Sequence, residues 1–289
     1  MYPNSFAYYA ADDVESALSL LAEHEHEEVE LMAGGHSLLP TMKSGLGNPD
    51  VVIDLGDLTE LRGIDHGDET TRIGAMTTYA TIADDPMDGC TVLREAAAAI
   101  GDTQVRNMGT IGGNLAHSDP AADLPGAALA ADVTLHAIGP DGDRTIPISS
   151  FFEAMYTTVL DDDELLTAVE VPHLGDNDAS AYVKKPSPSS GYALVGVAVA
   201  LETDGHSITA ARVAANGAFG YARRLGAVES ELTGESIDAD GLSEGAASHA
   251  TDDVEPYEVL EDGNASSEFR SQLLEVYAER AISTALDRV

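Results

Sequence analysis

The chain has 289 residues, 44% of them hydrophobic, which is enough to bury a sizeable core and excludes global disorder. Against 51 acidic residues stand 14 lysines and arginines, a formal net charge of −37 that excludes the basic footprint a nucleic-acid partner needs. The longest apolar run, ALVGVAVAL at 193–201, is far too short to span a bilayer and reads as a buried strand.

The acids are dispersed along the chain, as DDVE, HEHEEVE and LDDDELL show, and only three lysines occur (Lys43, Lys184, Lys185). A dispersed acidic surface with so few lysines suggests a halophilic source, whose salt shortens the Debye length to roughly 3 Å at 1 M. The single cysteine, Cys90, excludes a disulfide within the chain and an iron–sulfur cluster held by this chain alone. The opening MYPNSFAYYAADD has neither a charged n-region nor an apolar h-region, so no signal peptide is expected and a cytoplasmic location is.

In chain order, Asp12 and Glu15 predict a capped amphipathic helix carrying Val14, Ala17, Leu18 and Leu21. A strand, VELMA at 29–33, runs directly into AGGHSLLP. VVIDL and RIGA read as further short strands, TTYATIAD and TVLREAAAAI as helices, the first capped by Thr77 or Thr78. From Gly101 to Asp123 periodicity fades, and a loop of that length inside a compact domain is usually functional. A helix LPGAALAA, a hairpin of VTLHAI and RTIPI, and a strand LLTAVEV complete this half. The polar stretch 173–180 marks a domain boundary. Strands YVKK, ALVGVAVALE and ITAARVAA follow, then helices around 222–233, 240–250 and 265–287. Short strands alternating with helices predict an α+β fold.

Two glycine pairs carry the chemistry. Glycine lacks a Cβ, so its backbone N–H can approach an anion closely. The first pair sits in Ala33, Gly34, Gly35, His36 and Ser37; the second in Thr110, Ile111, Gly112, Gly113 and Asn114. Either alone reads equally as a tight turn. Together, with flanking hydroxyls and an amide, they suggest two cradles gripping a pyrophosphate. Neither has the spacing of a Rossmann fingerprint or a P-loop. His36 and His117 have no partner at metal-ligand spacing, and no Ser-His-Asp set stands out, so backbone contact with a cofactor is the better reading of both histidines.

AGGHSLLP and VRNMGTIGGNLAHSDPAAD closely resemble the flavin motifs of the FAD-binding medium subunits of molybdenum hydroxylases, the carbon monoxide dehydrogenase and xanthine dehydrogenase family. IGAMTTYATIA, FFEAMYTTVLDDDELL, SGYALVGVAVAL and the final EFRSQLLEVYAERAISTAL fit the same pattern, so the resemblance covers residues 5 to 287. It implies a two-subdomain FAD-binding domain of the vanillyl-alcohol-oxidase-like (PCMH) type over 1–175. A small C-terminal α+β domain, a three-stranded antiparallel sheet with helices, would fill 176–289. Non-covalent FAD would lie between the two glycine loops. By the same resemblance Asp123 contacts the adenosine end, or else caps LPGAALAA; Leu165 packs on the flavin or adenine. Lys184 stands near the flavin ring, or else is a surface lysine. Tyr192 lies against the isoalloxazine face, or else is a core tyrosine. Gly191 stands where relatives often have Asp.

The function implied is electron transfer. A large subunit would hold the molybdenum cofactor and a small one two [2Fe–2S] clusters, as a dimer of heterotrimers, and FAD here would serve an external acceptor. The alternatives are a self-sufficient FAD-dependent oxidoreductase acting on a small molecule and a non-redox nucleotide-binding module sharing the fold.

Overall fold

A computed structural model describes residues 2–87 and 91–289; Cys90 lies outside the described residues. Three parallel strands, Ala7–Ala10, Val51–Asp54 and Val29–Met32, form the first sheet, with Val51–Asp54 in the centre. The central position explains its apolar sequence: Val51, Val52 and Ile53 are all buried. The helix Val14–Glu23 lays Ala17 and Leu21 against this sheet. Its capping box lies one residue later than the Asp12/Glu15 expectation. The Asp13 carboxylate accepts from Ser16 N–H at 2.7 Å, and Ser16 Oγ accepts from Asp13 N–H at 3.0 Å, so Ser16 fills the role given to Glu15.

The second sheet has five antiparallel strands and packs on the largest core cluster, which contains Ile73, Leu124, Leu135 and Phe151. Its central strand is Leu165–Pro172, flanked by Thr70–Gly74 and Thr134–Gly139. Between the sheets lies the segment read from sequence as an irregular loop. It contains two short helices, Thr103–Met108 and Ile111–His117. Asp102 caps the first by accepting from Gln104 and Val105 N–H, and Thr110 caps the second by accepting from Gly113 N–H. Helices of six and seven residues, with four glycines in and around them, are too short to show a 3.6-residue periodicity.

The C-terminal sheet is antiparallel, as expected, but a two-residue strand at Arg223–Arg224 makes it four-stranded rather than three-stranded. The helix Ser267–Leu286 covers it, burying Leu274, Ala278, Ala281 and Ile282. Buried Arg270 ties the start of the strand Ala193–Thr203 to the bend at Gly217, donating to the carbonyls of Leu194 and Gly217 at 2.6 and 2.7 Å. The α+β architecture with a two-part N-terminal half and a smaller C-terminal sheet is the one the sequence implied. Among the described residues no helix is long and apolar enough to cross a membrane.

Candidate functional site

The two glycine loops meet. A Cβ on Gly34 would lie 2.3 Å from the Met108 carbonyl oxygen and 2.7 Å from Gly109 Cα, and one on Gly113 would lie 3.1 Å from Ala33 Cβ. Glycine is needed at position 34 because two backbones pass at contact distance there. Behind them, a Cβ on Gly112 would collide with Ala75 at 2.6 Å. The clasp forms the floor of a cleft of about 660 Å³, within the size of a cofactor site.

The two loops do not offer the same donors. Among the described residues, none accepts a hydrogen bond from the backbone N–H of Gly34, Gly35, His36, Ser37 or Leu38. Gly35, at φ +69°, turns this run of donors out of the strand. In the second loop four of the five N–H groups are spent within the protein, all but that of Thr110: Ile111 on Thr77 O, Gly112 on Ala75 O, Gly113 on Thr110 Oγ1, Asn114 on Thr110 O. The expectation of two N–H cradles is corrected to one cradle and one packing loop. The second loop instead presents side chains, because its backbone must close a helix onto the neighbouring sheet. Asn114 Nδ2 donates to Tyr79 Oη at 2.9 Å, while its buried Oδ1 has no partner among the described residues.

Of the residues singled out from sequence, Ala33, Gly34, Gly35, His36 and Ser37 line the cleft, and so do Thr110, Gly112, Gly113 and Asn114. Asp123, Leu165 and Tyr192 line it as well. Ile111 and Lys184 do not. Ile111 is fully buried and packs into the main core. Lys184 Nζ donates to Asp123 Oδ2 at 2.8 Å and to the Gly191 carbonyl at 2.9 Å, so it is no surface lysine. Nor does Asp123 cap its helix, which begins at that residue after Ala122; its other oxygen accepts from Tyr182 Oη at 2.6 Å. Burial pushes the Asp123 carboxyl up, and Lys184 and Tyr182 pull it back down. Tyr192 is 45% exposed, which removes the core-tyrosine reading.

Sequence reasoning missed Tyr79, Asp119 and Tyr156, which line the cleft together with His117. Tyr156 sits in the left-handed region at φ +57° and stacks on His117, with ring centroids 5.0 Å apart. Burial pushes the hydroxyls of Tyr79, Tyr156 and Tyr192 upward and the His117 imidazole downward, which favours the neutral form of all four rings beside Asp119. The signal available was TTYATIAD beside the glycines, where Tyr79 follows the Thr78 cap.

One carboxylate shapes the far wall. Glu164 accepts from Arg144 Nε at 2.5 Å and Nη2 at 2.6 Å and fixes the turn that delivers Leu165. Arg144, with the Asp161 N–H, holds the Glu164 carboxyl below the ordinary carboxylate range, against burial. A lowered value means that this stability is complete above the unfolded pKa, about 4.3, and is lost as pH falls through the folded one. Glu164→Gln should therefore lower Tm at neutral pH and flatten its fall below about pH 4.3. A Tm–pH profile parallel to wild type would contradict this.

No Lys or Arg lines the cleft among the described residues. An anion held there has to be met by backbone N–H dipoles, as in other glycine-loop sites. The five free N–H groups, the orphaned Asn114 Oδ1 and the aromatic wall fit a flavin dinucleotide: donors for its phosphates, an acceptor for an N–H or hydroxyl, and flat surfaces for rings.

A cleft floored by two glycine loops and walled in part by the C-terminal half fits a flavoprotein, and similarity to known proteins identifies the family. Residues 4–174 match the family model described as FAD binding domain in molybdopterin dehydrogenase, and residues 180–285 match the CO dehydrogenase flavoprotein C-terminal domain. The chain belongs to this family of FAD-binding oxidoreductase proteins, the family its glycine motifs resemble. Among its relatives is the carbon monoxide dehydrogenase medium chain of Hydrogenophaga pseudoflava, 33% identical over 100% of this chain and 99% of that one. The glyceraldehyde dehydrogenase medium chain of Sulfolobus acidocaldarius is 32% identical, covering 97% and 98%. A solved carbon monoxide dehydrogenase from Hydrogenophaga pseudoflava, lacking the Mo-pyranopterin moiety, superposes with a TM-score of 0.93 at 34% identity, covering 100% of this chain and 99% of that one.

Proposed function

We propose that this chain is the electron-transferring FAD subunit of a molybdenum hydroxylase complex. The observation that carries the reading is full-length similarity to medium chains of such dehydrogenases, joined to a cleft whose free donors suit a pyrophosphate. Bound FAD supplies the redox chemistry, taking electrons from the [2Fe–2S] clusters of a small partner and giving them to an external acceptor. The chain's own residues do the rest. The N–H groups of Gly34 to Leu38 meet the phosphates, with Ser37 and Thr110 beside them. Asn114 offers Oδ1 to a donor on the dinucleotide. Asp123 takes the adenosine end, Leu165 and Tyr192 the rings, and Ile111 supports them from behind. Lys184 acts through Asp123. The large partner holds the molybdenum cofactor and selects the substrate.

Purification from the source tests this. The chain should elute with molybdenum and [2Fe–2S] iron, as a dimer of heterotrimers in the cytoplasmic fraction. A yellow chain that turns over a small molecule unaided would overturn the subunit role. A colourless chain that takes up no FAD would overturn the whole reading.

A further inference from the structure

The turn between the strands Ala179–Pro186 and Ala193–Thr203 belongs to the C-terminal sheet, yet Ser190, Gly191 and Tyr192 at its tip line the cleft. The tip is a compact unit. Gly191 N–H donates to the Ser187 carbonyl at 2.9 Å, and Ser187 N–H to the Tyr192 carbonyl at 2.7 Å. Its shape depends on Gly191, whose φ of +77° a side chain would strain.

Two contacts seat this unit on the N-terminal domain. Gly191 rests against Gly101: a Cβ on Gly101 would lie 3.5 Å from Gly191 Cα, an ordinary contact. On the other side, Lys184 Nζ joins the Gly191 carbonyl to Asp123 on the cleft wall, at 2.9 and 2.8 Å. Both charged side chains are nearly enclosed, Lys184 at 7% and Asp123 at 5% exposure. An ammonium so enclosed keeps its partners, because leaving either one uncovers a desolvated polar group. Its donors go to a carboxylate and to the backbone of the tip.

We propose that residues 187–192 form a strap over the cleft and that Lys184 is the positioning residue that latches it, by tying the Gly191 carbonyl to Asp123. This rests on the reading of the cleft as an FAD site. Lifting the strap requires breaking the hydrogen bond from Lys184 to Gly191, and with it Tyr192 leaves the cleft. The latch therefore governs how fast FAD escapes rather than which groups touch its phosphates.

Two variants test this in the whole chain, with and without FAD. Lys184→Met removes the latch. Gly101→Val leaves Lys184 and Asp123 intact; its Cβ fits, but its methyls press into the seat of Gly191. Both should release FAD about tenfold faster or more, the effect of one lost hydrogen bond to a charged group. In both, iodide should quench flavin fluorescence more readily than in wild type. In the cofactor-free chain, amide exchange at Ser187 and Gly191 should quicken in both variants, while the strand Ile208–Asn216 keeps wild-type protection. Unchanged exchange at the tip in both variants overturns the strap. Exchange that quickens equally in the tip and that strand overturns it too, marking Lys184 as a structural charge only. A wild-type chain that binds no FAD defeats the functional reading alone, because the exchange measurement reports the latch without cofactor.

Discussion

Alanine in place of Gly34 should cost the chain most of its FAD affinity. The added Cβ would stand 2.3 Å from the Met108 carbonyl oxygen and within 3 Å of Gly109 Cα. These are backbone atoms held by the Thr103–Met108 helix and by the hydrogen bond from Tyr79 N–H to the Gly109 carbonyl, so no flexible side-chain end can move aside. The loops must part, at an overpacking cost of about 3 kcal/mol. If that strain falls on the bound geometry, FAD binds about a hundredfold more weakly. Gly220→Ala is the control, since a Cβ there meets nothing within 4 Å. Titration calorimetry with FAD, beside Tm for both variants, separates loss of the cradle from loss of the fold. Undiminished affinity in Gly34→Ala would refute the clasp.

Dialysis into low salt should unfold the wild-type chain. Were every Lys and Arg paired one to one, the unpaired carboxylates would still equal the net charge of −37. Several lie close together, as at Asp161, Asp162 and Asp163, where only Glu164 has an arginine partner. At 1 M salt the Debye length is roughly 3 Å and neighbouring carboxylates are screened; near 0.1 M it is about 10 Å and they repel across the surface. Far-UV circular dichroism followed against potassium chloride should show a cooperative loss of structure as salt falls. A spectrum that stays native in dilute buffer would remove the argument for a halophilic source.

The family and the position of the cleft were legible because glycine pairs after an apolar strand are rare and backbone-driven. Gly34 and Gly113 needed no partner to be noticed. What those glycines touch was not legible: Gly34 against Gly109 is a contact between loops far apart in sequence. For the same reason Ile111 looked like part of a cradle when it is core. The N–H groups behind it are consumed by Thr77 and Ala75, which no local pattern reveals. The family resemblance, and no local pattern, pointed Lys184 toward the cofactor. Its actual partners, Asp123 and the Gly191 carbonyl, are matched only once the C-terminal hairpin folds back. Tyr156 escaped notice because its left-handed backbone is invisible in the one-letter sequence.

The boundary between the two family matches, near residues 174–180, is not a seam along which the molecule can be taken apart. Asp123 is enclosed on one side of that line, and Tyr182 and Lys184, the groups that complete its hydrogen bonding, are on the other. The Ala121 and Pro120 carbonyls likewise receive N–H bonds from Ala193 and Gly217 across it. Modularity in sequence is therefore not autonomy in structure. A fragment ending near 175 would carry the glycine loops but expose an orphaned carboxylate beside them. A chimera with a relative's C-terminal half would inherit a working cofactor site only if that half brings its own tyrosine and lysine to the same carboxylate.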